Sequence, residues 1–307
     1  MKLNIIQNRK YNYALSGVLA LVSILSLITW GLKPGIDFTG GSLLELSFKN
    51  ERPSIEAIQN SLSNLNLGEI KVQPSGDKNN LLRFKDVDEN THQAILKNLF
   101  ETFKESSDNS SLVSEEKFES VGPIMGKELQ DKAWMAIFLA SIMIVLYIAY
   151  AFRKVSKPVE SWKFGLSAIV ALIHDLLLVT GLFSILGHFF GIEVDSLFIT
   201  ALLTILGFSV HDTIVVFDRT RENLSKHYSS NFEEVVNDSI NQTVTRSINT
   251  SLTVFIVLTT LYIFGGSTIS NFVLALIAGI IFGTYSSIFV ASPIVVTWYY
   301  WDKKLKK

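Results

Sequence analysis

The chain has 307 residues, of which 48% are hydrophobic and only 18% are charged, and its formal net charge is −1. This composition is too apolar for an ordinary soluble protein of that length. Because the chain has no cysteine, disulfides, thiolate metal sites and a cysteine nucleophile are excluded, and the five histidines show no metal-binding spacing.

Six long apolar runs predict six membrane-spanning helices, because a helix needs about 20 apolar residues to cross a bilayer. The predicted spans are 11–32, 133–152, 163–187, 196–217, 244–264 and 270–300. The last two lie in one uncharged stretch that Gly265-Gly266 interrupts, as a tight turn at the membrane surface would. The first span continues into Lys33-Pro34-Gly35 without a small-residue cleavage site, so we expect a retained anchor rather than a signal peptide.

Lysine and arginine are concentrated on one side of these spans. The basic segments are 1–10, 153–163, the loop or amphipathic helix 219–243, and the tail 301–307. The opposite turns, 188–195 and 265–269, contain no lysine or arginine. Because cytoplasmic loops carry the excess of positive charge, we expect both termini in the cytoplasm and the long segment 33–132 on the external side.

The external segment alternates short strand and helix patterns. The predicted strands are 42–48, 69–74, 80–86 and 116–122, and the predicted helices are 54–65, opened by Pro53-Ser54, and 89–103, capped by Asp88. The two middle strands flank the hairpin turn Ser75-Gly76-Asp77. This β-α-β-β-α-β order is that of an α+β ferredoxin-like module. His92 is alone on the second helix, where we expect it to be solvated, so the module is better suited to protein contact than to chemistry.

Ionisable residues inside the spans are the candidate functional residues, because a charge near the bilayer centre costs about 3 kcal/mol on insertion scales. His174 and Asp175 lie midway along the third span, and His211 and Asp212 lie in the cytoplasmic half of the fourth. Arg246 opens the fifth span, and its long side chain can reach Asp212 if the two helices adjoin. A carboxylate that arginine holds in one state and that is protonated in another gives a proton path. A static buried network that fixes helix packing is the alternative.

Small residues recur at every fourth position of the sixth span, at Ala275, Gly279, Gly283 and Ser287. Such a flat face lets two helices approach closely in lipid. We therefore expect Gly279 and Gly283 to be packing residues. At the external mouth of the fourth span, Glu193 and Asp195 are expected to form a solvated cap.

Several segments resemble the SecD/SecF family of protein-export membrane proteins. GIDFTGGSLLEL (35–46) is similar to the signature that opens the external domain of both members, and VGPIMGKEL (121–129) is similar to the stretch before the second span. Residues 171–183, 204–223 and 245–266 resemble the third, fourth and fifth spans of SecF members. The likeness covers nearly the whole chain. SecD members fit less well, because their external domain is larger.

The resemblance implies half of a resistance–nodulation–division bundle in the bacterial cytoplasmic (inner) membrane, with SecD supplying the other six spans. It also implies association with the SecYEG channel and its accessory proteins. The implied function is to use the proton-motive force to assist late steps of the translocation of unfolded preproteins. No enzyme activity, cofactor, metal or nucleic-acid partner is expected.

The resemblance also assigns residues. The membrane aspartate and arginine of the family match Asp212 and Arg246, and the aspartate of its external motif matches Asp37. The family usually has asparagine where this chain has His211, so an extra titratable group lies beside the key aspartate. From the residues alone, Gly40 and Gly41 permit a sharp turn with positive φ, and Asp37 either binds local backbone amides or has a functional role.

Two other functions remain open at this point. A self-pairing exporter of a lipid or small molecule from the same superfamily would bring two identical proton relays together. A membrane-anchored scaffold without transport would leave the buried charges dispensable. Co-purification of a larger six-span homologue would favour the SecD partner.

Overall fold

The computed structural model describes residues 3–49, 52–76, 78–104, 112–151, 159–226 and 231–305. The chain divides into two compact units. The membrane unit comprises Met1–Lys33 and Trp134–Lys307, and the inserted domain comprises Pro34–Ala133. Six helices among the described residues are long and apolar enough to cross a membrane, so the chain is a multi-pass membrane protein.

The first helix, α1, spans Arg9–Thr29, and the inserted domain opens with a short helix that was not predicted, α2 (Ile36–Thr39). The other elements of this domain are β1 (Gly41–Phe48), α3 (Ile55–Leu62), β2 (Lys71–Ser75), β3 (Asn79–Phe84), α4 (Glu89–Thr102) and β4 (Val113–Val121). The strands form one antiparallel sheet in the order β2-β3-β1-β4. The predicted ferredoxin-like order is therefore confirmed. Of the predicted hairpin turn, Asp77 lies outside the described residues.

The two longer helices of the inserted domain, α3 and α4, begin at the predicted caps. The Ser54 hydroxyl accepts a hydrogen bond from the Ala57 amide at 3.2 Å, and Asp88 Oδ1 accepts one from the Thr91 amide at 3.0 Å. Each bond satisfies an amide that has no partner within the first helical turn. Alternate side chains of the strands point towards these helices. The core of the domain contains Leu44, Leu46 and Leu82 from the strands and Ile58, Leu62, Ile95 and Leu99 from the helices.

The prediction that His92 is solvated is wrong. Its side chain is 7% exposed, its ring stacks on Phe118 with the centroids 3.7 Å apart, and its Nε2 lies 3.2 Å from Glu115 Oε1. A register shift after Glu45 places Glu115 opposite Leu46, which points into the core. A bulge of this kind turns a side chain to the other face of the sheet. The sequence pattern of α4 alone does not indicate that Glu115 lies beside His92.

The membrane unit continues with α5 (Pro123–Ala151), α6 (Ser161–Phe190), α7 (Ser196–Lys226), α8 (Phe232–Phe264) and α9 (Ser267–Ser286). A π-helical turn, Ser287–Ala291, connects α9 to α10 (Ser292–Leu305), so the last span is one continuous helix. Both α7 and α8 extend well beyond the predicted spans. Segment 219–243 was predicted as a loop or amphipathic helix. Its described residues belong instead to the ends of two long helices, α7 and α8.

The six spans are buried to different extents. Helices α6 and α7 and the last span are the most buried, whereas α5 is the least buried of the six. The last span packs against α7 through its glycines: a Cβ atom on Gly279 would lie 2.2 Å from Ile205 Cγ1, and one on Gly283 would lie 3.1 Å from Ser209 Cβ. The backbones of these two helices thus approach where the spacing of small residues predicts it.

A second close approach, between α1 and α6, was not predicted. The buried residues of α1 are serines, Ser16, Ser23 and Ser26. The Ser26 hydroxyl donates to the Gly181 carbonyl at 3.2 Å, and the Ser184 hydroxyl donates to the Ser26 carbonyl at 2.9 Å. The recurrence of serine on one side of an otherwise apolar helix is the sequence signal for this contact.

Candidate functional site

The first candidate site surrounds Asp212 of α7, which is 2% exposed. The Thr284 hydroxyl of α9 donates to Asp212 Oδ2 at 3.3 Å. The Thr284 Oγ1 and Ser251 Oγ atoms lie 2.5 Å apart, and the buried Ser247 hydroxyl of α8 lies beside the same carboxylate. Among the described residues no cation forms an ion pair with Asp212, so its immediate neighbours are hydroxyl groups.

The predicted contact between Asp212 and Arg246 is not formed. Arg246 is exposed, and no ion pair joins it to a carboxylate in the part of the chain that the structure describes. Neighbouring residues of a helix point about 100° apart. Because Ser247 is the residue of α8 that faces Asp212, Arg246 points to the adjacent, open side of the helix.

His211 is also exposed. It lies on α7 together with Thr204 and Gly207, which are exposed as well, and the spacing of three and four residues places all three on one face. The residue next to His211 is Asp212, which points into the bundle. The two titratable residues of this pair thus face different surroundings.

The second candidate site surrounds Asp175 of α6, which has no exposed surface. The hydroxyls of Ser209 and Ser286 donate to Asp175 Oδ2 at 2.5 and 2.7 Å. His174 Nδ1 lies 3.2 Å from Asp175 Oδ1, so the two adjacent residues do share a contact. The serines come from α7 and α9, and the site therefore connects three helices.

Sequence reasoning missed the hydroxyl groups around both carboxylates. These are Ser209 and Ser286 at Asp175, and Thr284 and Ser247 at Asp212, with Ser251 in contact with Thr284. Serine and threonine are tolerated in membrane helices because they can bond to the carbonyl one turn earlier, so their presence alone indicates no site. The only signal was that Ser286 and Thr284 adjoin the small-residue face of α9 at Gly283.

The motif of the inserted domain forms a tight passage from α2 to β1. Gly40 and Gly41 have φ values of +74° and +123°, a region that favours glycine. A Cβ atom on Gly40 would lie 2.8 Å from Pro123 Cα, and one on Gly41 would lie 2.9 Å from the Phe84 carbonyl oxygen. Asp37 is partly buried in the first turn of α2.

The acids at the start of α7 have local partners. Glu193 Oε1 lies 3.6 Å from Lys33 Nζ, and Asp195 Oδ1 accepts a hydrogen bond from the Phe198 amide at 2.8 Å, as an N-cap does. Within the described ranges, no group of three or more histidine, aspartate and glutamate side chains is arranged to hold a metal ion.

Comparisons with protein families match most of the chain. The family model "Protein export membrane protein SecD/SecF, C-terminal" matches residues 101–301, and the "SecD/SecF GG Motif" matches residues 25–51. The chain is similar to the protein translocase subunit SecF of Thermobaculum terrenum, with 45% identity over 96% of this chain and 94% of the relative. The corresponding protein of Anaerolinea thermophila is 38% identical over the same shares of the two chains.

Solved structures of a longer protein have the same fold. The crystal structure of SecDF from Thermus thermophilus matches with a TM-score of 0.80 and 33% identity over 97% of this chain. SecDF in its super-membrane-facing form matches with a TM-score of 0.69 and 32% identity over 100% of this chain. The chain spans only 39% and 40% of the length of those two proteins.

Proposed function

Because the chain belongs to the SecD/SecF family of protein-export membrane proteins, we propose that it pairs with SecD and assists preprotein translocation. Its relatives are translocase subunits of nearly the same length. The solved SecDF chains are more than twice as long, so a second six-span chain would complete an equivalent assembly. The similarity to translocase subunits favours this function over a self-pairing exporter of lipids or small molecules.

One observation carries the proposal of a membrane partner: α7 and α8 have exposed polar faces within their spans. On α8 these residues are Arg246, Asn249, Thr250 and Thr253, and on α7 they are Thr204 and His211. Polar and charged groups are costly against lipid. A second bundle of helices that covers these faces would remove that cost, and SecD is the partner that the family implies.

We place both termini in the cytoplasm and the inserted domain outside the cytoplasmic membrane. The support is the charge asymmetry: the segments that share a side with the termini are rich in lysine and arginine, whereas the turns 188–195 and 265–269 contain none. This orientation puts the inserted domain on the side where an exported chain emerges. Association with the SecYEG channel and an unfolded preprotein is proposed from the family alone.

We further propose that Asp212 takes up and releases the protons that drive the cycle, with the proton gradient as the energy source and no cofactor. The carboxylate is buried among hydroxyl groups, and Arg246 lies next to Ser247 at the same depth but faces the proposed partner. A carboxylate in these surroundings can be protonated or ionised, and the local structure can differ between the two states. If the protonated and the ionised carboxylate favour different arrangements of the helices, proton flow is coupled to movement of the helices.

The test of this function uses the chain co-expressed with SecD in a strain that lacks the native pair. We expect Asp212→Asn and Arg246→Met to abolish the stimulation of preprotein export while SecD still co-purifies. Asp218→Asn, a change of an exposed residue at the end of the span, is the matched control and should export at the normal rate. Normal export by Asp212→Asn would contradict a proton-driven role.

The partner surface can be tested separately, because the chain contains no cysteine. Thr253→Cys places a single thiol on the polar face of α8, and we expect it to crosslink to SecD through a thiol-to-amine reagent in membranes. Leu139→Cys, on the exposed apolar side of α5, should not crosslink. Equal crosslinking of both variants, or of neither, would contradict the assignment of this face.

A further inference from the structure

A buried histidine joins a helix to a strand in the inserted domain. The His92 ring lies between two carboxylates: Nδ1 lies 3.4 Å from Glu89 Oε2, one turn earlier on α4, and Nε2 lies 3.2 Å from Glu115 Oε1 on β4. The ring also stacks on Phe118 of β4, with 5° between the two planes. A side chain that is 7% exposed thus contacts two acidic groups and one aromatic ring.

The two nitrogens of this ring are bonded differently. Nδ1 is in hydrogen-bonding geometry with Glu89, whereas the buried Nε2 has no hydrogen-bond partner among the described residues, although Glu115 Oε1 is near. A neutral imidazole has one N–H group and one lone pair, and an ionised carboxylate has no proton to donate. With the proton of neutral His92 on Nδ1, the lone pair of Nε2 therefore faces a carboxylate.

A second proton on the ring removes this conflict. Imidazolium has an N–H group at both nitrogens, so Nε2 can donate to Glu115 while Nδ1 keeps its bond to Glu89. Hydrogen bonds between two charged groups are stronger than those between neutral groups, and a cation over the face of an aromatic ring, here that of Phe118, is attracted to it. The contact between α4 and β4 is therefore stronger when His92 is protonated.

The other charges near the ring also favour the protonated form. In the part of the chain that the structure describes, no lysine or arginine forms an ion pair with Glu89 or Glu115, and Asp88 adds a third acid at the start of the same helix. From α3, the side chains packed in this core are apolar, as Ile58 is. Burial of the ring opposes its charge, but both flanking carboxylates reach the solvent, with 70% and 26% of their side chains exposed.

We propose that His92 is a pH-dependent clamp between α4 and β4, closed when the ring is protonated and loosened when it is neutral. Strand β4 leads through Gly122 into α5 at Pro123, so the clamp holds the strand that continues into the second span. In the orientation proposed above, the domain lies on the side from which protons enter. The clamp goes beyond the proposed function and does not depend on Asp212.

The pH range of the clamp follows from its groups. Histidine ordinarily changes its charge between about pH 5 and pH 8. Glu89 stays ionised in this range, because hydrogen bonds from Gln93 and then His92 lower the pKa of Glu89 from its ordinary value of 4.5. Since the protonated ring forms the additional bond, the clamp tightens as the pH falls through the histidine range, and it is lost again where the carboxylates become protonated.

The test measures amide hydrogen exchange of the full chain in detergent at pH 7.5 and pH 5.5, corrected for the intrinsic rates. His92→Gln keeps a polar side chain but has no group that changes charge. Glu115→Gln keeps the shape of the β4 partner, and it is a second variant in case the first does not fold. Glu116→Gln is the matched control, because Glu116 is the neighbouring, exposed acid of the same strand.

In the unaltered chain and in Glu116→Gln, we expect α4 and β4 to be about threefold better protected at pH 5.5 than at pH 7.5. In His92→Gln the protection should be the same at both pH values. In Glu115→Gln it should also be the same, because the new amide group can donate to neutral Nε2 or accept from protonated Nε2, so that the clamp is closed at both.

Three results would overturn the clamp. The first is equal protection of the unaltered chain at the two pH values, and the second is a threefold rise that persists in His92→Gln. The third is a full rise in Glu115→Gln, which would mean that the carboxylate on β4 is not the acceptor. None of these measurements involves export, so they leave the proposed function to its own test.

Discussion

The two buried carboxylates of the membrane unit are held in different ways. Asp175 is fully enclosed and accepts two short hydrogen bonds from serine hydroxyls, with a histidine nitrogen 3.2 Å from its other oxygen. Asp212 accepts one longer bond, from Thr284, and its sequence neighbours face an open polar surface. The first arrangement stabilises one state of the carboxylate and fixes three helices. The second leaves the carboxylate with a longer hydrogen bond beside an open polar surface, which suits the proposed role in binding and releasing protons.

The largest expected effect is on export. Asp212→Asn should abolish proton-dependent stimulation of export, whereas Asp175→Asn should retain a measurable part of it, because an amide oxygen can still accept the bonds from Ser209 and Ser286. The comparison is made as export rate per assembled complex, with and without a proton gradient. Equal loss in both variants would show that Asp175 also carries protons, which the sequence left open.

The order of effects should reverse for stability. Asp175→Ala removes the shared acceptor of the buried Ser209 and Ser286 hydroxyls. Ser286 keeps the Gly283 carbonyl as an acceptor at 3.1 Å, whereas Ser209 is left unsatisfied, and we expect a loss of about 1–3 kcal/mol. Asp212→Ala removes one long bond and should cost less. Thermal unfolding of both variants in the same detergent provides the measurement. A lower melting temperature for Asp212→Ala than for Asp175→Ala would contradict the structural role of Asp175.

The sequence predicted the elements of this protein more reliably than the directions of its side chains. Apolar length located the six spans, and periodicity with capping residues located the helices at Ser54 and Asp88, because both signals are local. The choice between Arg246 and Ser247 as the neighbour of Asp212 depends on the rotation of α8 about its axis. One residue changes that direction by about 100°. Polar residues occur on both the buried and the exposed sides of α8, so their pattern does not fix the rotation of the helix.

The burial of His92 shows a second limit of the same kind. Its helix is polar on the basis of sequence, but β4 lies beside it, and the bulge after Glu45 brings Glu115 to the same side. These contacts join residues far apart in the chain, and a single sequence contains no pattern for them. The hydroxyl groups near Asp212 were missed for a similar reason, because Thr284 comes from α9 and Ser247 and Ser251 come from α8.

A smaller effect is expected in the inserted domain, where acids at the start of α4 are exposed, in contrast to the membrane carboxylates. Hydrogen bonds from the Thr91 side chain and amide lower the pKa of Asp88 from its ordinary value of 3.8, and hydrogen bonds from Gln93 and then His92 lower the pKa of Glu89 from 4.5. Because both values are lower in the folded state, the stabilisation is complete above the unfolded values and is lost as the pH falls through the folded ones.

Asp88→Ala should therefore increase hydrogen exchange in the first turn of α4 at pH 7, after correction for the intrinsic rate. At pH 3 the difference from the unaltered chain should be smaller, because a larger fraction of Asp88 is protonated there than at pH 7 and a protonated carboxyl caps the helix less well. Asp86→Ala, a change of a nearby exposed acid, is the control. An equal difference at both pH values would show that the charge of Asp88 does not matter.

The smallest effect is expected for His211→Asn. His211 is exposed on the face of α7 that also bears Thr204, away from the hydroxyl groups around Asp212. Asparagine keeps a polar group at the proposed partner surface. We expect export within about twofold of the unaltered chain and the same pH of half-maximal export. Complete loss would mean that protons pass along the exposed face through His211, whereas a loss in His211→Leu alone would mean that the partner surface requires only polarity.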